Sequence, residues 1–131
     1  MLFRSGIVSQ RLLPRICNYC AAPASAEDEA IAIATRIGLL EGGFKQTIRR
    51  GRGCEKCRET GRSGRVAVFE MLAVDDRLRP LIESSAGVSE IRSQLTPNTF
   101  LPLEKYAGML LVAGVISPES AISLFPKVRQ H

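Results

Sequence analysis

The chain has 131 residues, 45% of them hydrophobic and only 5% aromatic, with no Trp and a formal net charge of +5. That length fits one compact domain, or a small metal module joined to a helical tail, and the apolar content excludes a disordered chain. The longest strongly apolar run, Ala107 to Ile116, is half the roughly 20 residues a membrane-spanning helix needs, which excludes membrane insertion.

In chain order, Leu2 to Leu13 places Phe3, Ile7, Val8 and Leu12 near one face of a helix, which Pro14 ends. The first 26 residues hold three arginines and no acid, a composition shared with organelle transit peptides; an amphipathic helix of the domain itself is the reading adopted, and no secretory signal is evident. Cys17-Asn18-Tyr19-Cys20 follows as a tight turn, and Ala21 to Ala26 as a loop of small residues. Ser25, with Asp28 three residues on, reads as an N-cap with an acidic third position. Behind it Ala26, Ala30, Ile33, Ala34 and Ile37 recur at helical spacing, and Gly38 and then Gly42-Gly43 close the helix.

Phe44 to Ile48 alternates apolar and polar residues as a strand does, and Val66 to Phe69 is a β-branched and aromatic run that reads as a second strand. The two flank Cys54-Glu55-Lys56-Cys57 and are candidates to pair. From Asp75 onward the pattern is helical. Asp75 caps a helix carrying Leu78, Leu81 and Ile82, and Val88, Ile91 and Leu95 mark another. Pro102 opens a third helix that Gly114 closes, and Ser117-Pro118 starts a last one ending near Pro126. The fold class expected is α+β. Residues 1–72 form a two-CxxC module with an N-terminal helix and short antiparallel strands, and 73–131 a mostly α-helical C-terminal extension, with the boundary near Leu72 to Asp75.

All four cysteines, Cys17, Cys20, Cys54 and Cys57, fall in two CxxC pairs. A two-residue spacer turns both sulfurs of a pair toward one ion, and two pairs complete the tetrahedron zinc prefers. Residues 21–53 separate the pairs, longer than the spacing of about 15–20 in compact zinc ribbons, and the surplus accommodates the helix after Ser25. Structural zinc is the reading favoured over an iron–sulfur centre or two separate redox pairs, neither of which sits in a βαβ pattern. Four thiolates leave no open position for water, so chemistry at the metal is not expected. Paired CxxC motifs without a signal peptide point to a reducing, cytoplasmic setting.

The charge is local. Between Lys45 and Arg65 stand Lys45, Arg49, Arg50, Arg52, Lys56, Arg58, Arg62 and Arg65 against Glu55 and Glu59, which is +6, so the rest of the chain sums to −1. Three readings are open: compensation of the formal −2 of a zinc tetrathiolate, a surface for acidic protein partners, or a nucleic-acid patch. Aromatic residues for base stacking are sparse there, with only Phe44 and Phe69 nearby, so compensation with a protein contact is preferred to nucleic acid. No Gly-Lys pair occurs, hence no Walker A loop, and the one His, His131, is the last residue. The chain by itself is read as no enzyme.

Together these residues resemble the C-terminal region of the type II secretion and type IV pilus-assembly ATPases, the general secretory pathway protein E-like motors. Gln10-Arg11-Leu12-Leu13 before Cys17 is similar to the run preceding that family's first knuckle. Gly53-Cys54-x-x-Cys57, Thr60-Gly61-x-x-Gly64-Arg65 and Phe69-Glu70 are similar to its second knuckle and following strand, and Gly108, Val112, Gly114, Ser117 and Glu119 to a weaker C-terminal motif. The likeness runs from about Gln10 to Phe125, with departures at Ala67, Ala107 and Leu111. It implies a structural zinc module of a cytoplasmic motor, peripheral at the inner membrane. That motor is a hexamer whose ATP site lies in an upstream core that these residues do not contain, and its partners are proteins of the secretion or pilus machine. A piece of a longer ATPase, a split reading frame and a stand-alone protein all fit this resemblance. The alternative reading is a stand-alone zinc-ribbon-like nucleic-acid-binding or adaptor protein.

Overall fold

The structure is a computed structural model that describes residues 5–125; Phe3, Pro126 and His131 lie outside them. Within this span the elements run β1 (Ser5–Ile16), β2 (Ala21–Pro23), α1 (Glu29–Arg36), β3 (Arg49–Gly51), a 3-10 turn (Glu55–Cys57), β4 (Arg62–Val74), α2 (Leu78–Glu83), α3 (Val88–Ser93), β5 (Phe100–Leu101), α4 (Leu103–Val112) and α5 (Pro118–Ile122). The fold is α+β, with antiparallel strands, five helices and a cysteine cluster. No helix among the described residues is long and apolar enough to cross a membrane.

The N-terminal segment corrects the expected helix: Ser5–Ile16 is a strand, antiparallel to β4 from Ser5↔Val74 to Leu13↔Val66. Ile7 and Val8 are β-branched and stiff, which favours an extended backbone once a partner strand is present. Val8 and Leu12 share a face in either conformation, because a spacing of four is both about one helical turn and two full strand periods. The second strand begins earlier and ends later than its apolar run, at Arg62 and Val74.

The strand expected over Phe44 to Ile48 is also corrected. Ile48 N–H turns back to Lys45 O at 3.1 Å, and the extended residues are Arg49–Gly51. The two strands flanking the second knuckle do not pair with each other. β3 pairs with β2, and β4 lies between β1 and β5.

Helix starts follow the sequence chemistry. The N-cap of α1 is corrected from Ser25 to Asp28: the helix begins at Glu29, the Asp28 carboxylate accepts from Ala30 N–H at 2.9 Å, and Ser25 instead holds a turn three residues upstream by accepting from Glu27 N–H. Asp75 accepts from Arg77 and Leu78 amides at the head of α2, and Ser117 from Ser120 N–H at α5. Glu70 of β4 accepts from Leu103 N–H at 3.0 Å, tying the first turn of α4 to the sheet. Gly108 makes the α4 packing possible, since a Cβ there would sit 2.3 Å from Leu39 O. One core joins these elements: Ile31 and Ala34 of α1, Ile48, Val68 of β4, Leu111 of α4 and Ile116 are all buried together. Phe69 and Tyr106 meet edge to face, 5.6 Å between centroids.

Candidate metal centre

Cys17 follows β1 directly, Cys20 precedes β2, and Cys54 and Cys57 bracket the 3-10 turn. The strand pairings bring these segments together from opposite ends of the first half of the chain. Cys17 N–H donates to Gly61 O at 2.9 Å and Arg52 N–H to Cys20 O at 3.2 Å, so each knuckle is stitched to the other by backbone.

The four sulfurs all lie within 4.8 Å of one another. Cys17 to Cys54 and Cys20 to Cys57 are each 3.8 Å, and Cys54 to Cys57 is 3.7 Å. A disulfide needs about 2.05 Å, so none of these is a bridge, and all four thiols are free. A tetrahedron of sulfurs about 2.3 Å from a central ion has edges of about 3.8 Å. The observed spacing fits that edge, and the four sulfurs form a cluster that could hold one metal ion.

Amides converge on the sulfurs. Gly53 N–H donates to Cys20 Sγ at 3.3 Å, Cys54 N–H to Cys57 Sγ at 3.3 Å, and Gly61 N–H to Cys57 Sγ at 3.1 Å. Arg58 and Glu59 make the second knuckle possible by adopting left-handed backbone, φ 56° and 66°, an unfavourable conformation for residues with side chains. In exchange Glu59 N–H closes on Cys54 O at 2.8 Å, and the chain swings round to aim the Gly61 amide at the Cys57 sulfur.

The electrostatics are uneven. Burial pushes the Cys57 thiol up, but the Cys54 and Gly61 amides outweigh it and bring it down to about 6. Burial drives Cys20 up to about 11 in spite of the Gly53 amide. Four thiolates this close together repel one another, which disfavours their joint ionisation. A bound cation removes that repulsion, which is the chemical sense in which this donor set fits a soft or borderline metal ion.

Of the eight basic residues in the stretch, Arg50 is turned inward. Its guanidinium pairs with Asp28 at the head of α1 and with Glu119 on α5, locking β3, which leads into the second knuckle, onto two helices. The hydrogen bond from Arg50, against the effect of burial, holds the Asp28 carboxyl below its ordinary value. Lys56 lies over the Tyr19 ring, 5.4 Å from its centroid, so the two knuckle tips touch. Lys45, Arg49, Arg52, Arg58, Arg62 and Arg65 are exposed. Asp28 and Glu119 are functional partners that sequence reading missed, because their link to Arg50 spans residues far apart in the chain.

The comparisons extend this picture. The family model described as Type II/IV secretion system protein matches residues 4–119. Type IV pilus assembly ATPase PilB of Thermus thermophilus is 36% identical over 88 residues, 66% of this chain and 10% of that protein. Type II secretion system ATPase E of Vibrio cholerae is 32% identical over 96 residues, 72% of this chain and 18% of that protein. Type IV pilus assembly ATPase TfpB of Acinetobacter baylyi is 26% identical over 121 residues, 92% of this chain and 20% of that protein. The chain thus spans between a tenth and a fifth of the length of these relatives. It belongs to the Type II/IV secretion system protein family and corresponds to one part of its secretion and pilus-assembly ATPases.

Proposed function

We propose that Cys17, Cys20, Cys54 and Cys57 bind one structural zinc ion, and that the module they build serves in docking and force transmission within a secretion or pilus-assembly motor. The observation that carries this reading is the set of sulfur spacings, 3.7–3.8 Å along three edges. Zinc suits four thiolates in a closed tetrahedron, and the metal supplies cross-linking of loops and not catalysis. In that reading residues 1–72 carry the metal and residues 73–131 are its helical extension, with no ATP site of their own. ATP turnover belongs to the remainder of the intact motor, a hexamer working at the cytoplasmic side of the inner membrane. The protein's own residues supply stiffness: the Arg50 links to Asp28 and Glu119 join β3, next to the second knuckle, to α1 and α5, so load on the knuckles passes into the helices.

Elemental analysis of the purified chain tests the first half of this reading. One zinc per chain is the expected result, and iron, or no metal in a stably folded chain, overturns it. Docking is tested separately, by secretion or pilus output in cells whose motor carries alanine at the exposed Arg52 and Lys56. Undiminished output would remove the docking role while leaving the metal site standing.

A further inference from the structure

The four sulfurs are not equally placed. Cys17 is 1% exposed and Cys57 7%, whereas Cys20 and Cys54 are half-buried. The Cys54 and Gly61 amides, at 3.3 and 3.1 Å, already engage the Cys57 sulfur. Cys20 and Cys54 are therefore the sulfurs that a small electrophile reaches first. Both have Cys57 within 3.8 Å, but Cys54 shares a turn with it, since Cys54 leads directly into the 3-10 turn Glu55–Cys57. Cys20 meets Cys57 across the site, from the other knuckle. Cys17, 3.8 Å from Cys54, is anchored on both sides of its peptide: Cys17 N–H donates to Gly61 O and Ile16 N–H to Val115 O, each at 2.9 Å. Cys54 and Cys57 close on each other by a change within one turn, whereas the other pairs need two anchored segments to move.

We propose that the Cys54–Cys57 turn is an oxidation site, at which a hydroperoxide converts the two thiolates to a disulfide and the metal is released. This rests on the zinc reading above, because ligation keeps these cysteines as thiolates, the nucleophilic form. The Cys54 thiolate attacks one oxygen of hydrogen peroxide. An S–O bond forms, the O–O bond breaks, and hydroxide leaves and is protonated to water. The Cys57 thiolate then attacks the Cys54 sulfur, forming the S–S bond and breaking the S–O bond, and a second hydroxide leaves as water. Two thiolates lose two electrons, and one peroxide becomes two waters. The second step joins atoms held 3.7 Å apart, so it outruns a second peroxide that would carry Cys54 on to sulfinic acid. Cys17 and Cys20 stay reduced. Two remaining thiolates do not make the closed four-ligand site that holds structural zinc. What then joins the knuckles is backbone, Cys17 N–H to Gly61 O and Arg52 N–H to Cys20 O. The cross-link is opened by an oxidant and restored by a thiol reductant with zinc.

The test begins with metal analysis of the reduced full chain, because a chain without zinc removes the zinc reading and this proposal with it. With one zinc per chain established, hydrogen peroxide is added to one sample and withheld from another, both containing a colorimetric zinc chelator. Thiols are then alkylated and mapped by mass spectrometry. Peroxide is expected to cost the chain its one zinc in step with a Cys54–Cys57 disulfide, with Cys17 and Cys20 alkylated. Dithiothreitol and zinc return the metal to one per chain. Zinc retained by reduced cysteines, at peroxide concentrations that fully oxidise the metal-free chain, overturns this proposal and leaves the zinc reading standing. Equal zinc loss without peroxide, a disulfide joining the two knuckles, or sulfinic acid at Cys54 without a disulfide overturns it as well.

Discussion

Gly51 and Gly61 cross backbone to backbone so closely that a Cβ on Gly51 would lie 2.0 Å from the Gly61 carbonyl oxygen. This contact sets β3 against the segment leaving the second knuckle, and the same Gly61 presents its amide to Cys57 Sγ and its carbonyl to Cys17 N–H. Gly51→Ala is expected to destabilise the metal-loaded chain at the upper end of the roughly 1–3 kcal/mol typical of overpacking, because the atom it meets is backbone and cannot swing aside. Thermal unfolding with metal analysis checks this, and a melting temperature equal to that of the wild type would mean the crossing is looser than described.

In the proposed metal site, Cys54→Ser removes one of the four clustered thiols. Metal binding in such sites is coupled to folding at roughly 10–16 kcal/mol apparent. The variant is expected to lose its metal and, with it, amide-exchange protection over residues 49–62. Helices α4 and α5 keep theirs through the Leu111 and Ile116 core. Ser93→Ala on an exposed position is the control, with an effect within about 0.5 kcal/mol. Retained metal at full stoichiometry in Cys54→Ser would show that three thiolates suffice.

The convergence of the four cysteines and most helices were legible from local chemistry: paired CxxC spacing, Ser or Asp before apolar runs, Pro at the first turn and Gly past the last. What failed was long-range. β1 reads as a helix because Val8 and Leu12 are spaced alike on both templates, and only pairing with β4, more than fifty residues away, selects the strand. Phe44 to Ile48 alternates for five residues, but the buried Ile48 side chain and the turn at Lys45 take precedence over the alternation. Arg50 counts in sequence as one more surface cation, yet its two carboxylate partners come from α1 and α5. Local patterns record helix ends and cysteine turns, whereas strand pairing and ion clamps depend on what arrives from elsewhere.

The Asp28 carboxyl gives the pH dependence a definite sign. Its folded value is lowered from 3.8, chiefly by the hydrogen bond from Arg50 against the cost of burial. A lowered carboxyl contributes stability that is fully present above its unfolded value and is lost as pH falls through the folded one. The comparison is with Asp28→Asn, which keeps a capping side chain but no charge. The stability difference between wild type and variant is expected to be constant from about pH 7 to 5 and to shrink below about pH 4. Both proteins carry the same four cysteines, so the pH dependence of any metal held there cancels in the difference. Urea unfolding at each pH measures it, and a difference that grows on acidification would reverse the sign assigned to Asp28.

Arg50 and Arg52 are two residues apart and separate structural from docking roles. Arg50→Ala leaves the Asp28 and Glu119 carboxylates without their cation. Charge-assisted hydrogen bonds are worth about 1.5–3 kcal/mol each, less here because Glu119 is half exposed and screened by solvent. A total loss of about 2 kcal/mol is expected, read as a lower urea midpoint with unchanged slope. Arg52 is exposed, and Arg52→Ala is expected to change stability by less than about 0.5 kcal/mol. If the exposed cations dock a partner, Arg52→Ala lowers secretion or pilus output at full stability. Equal stability losses in the two variants would mean that Arg50 clamps nothing, and the path proposed from knuckle to helix would lose its one rigid link.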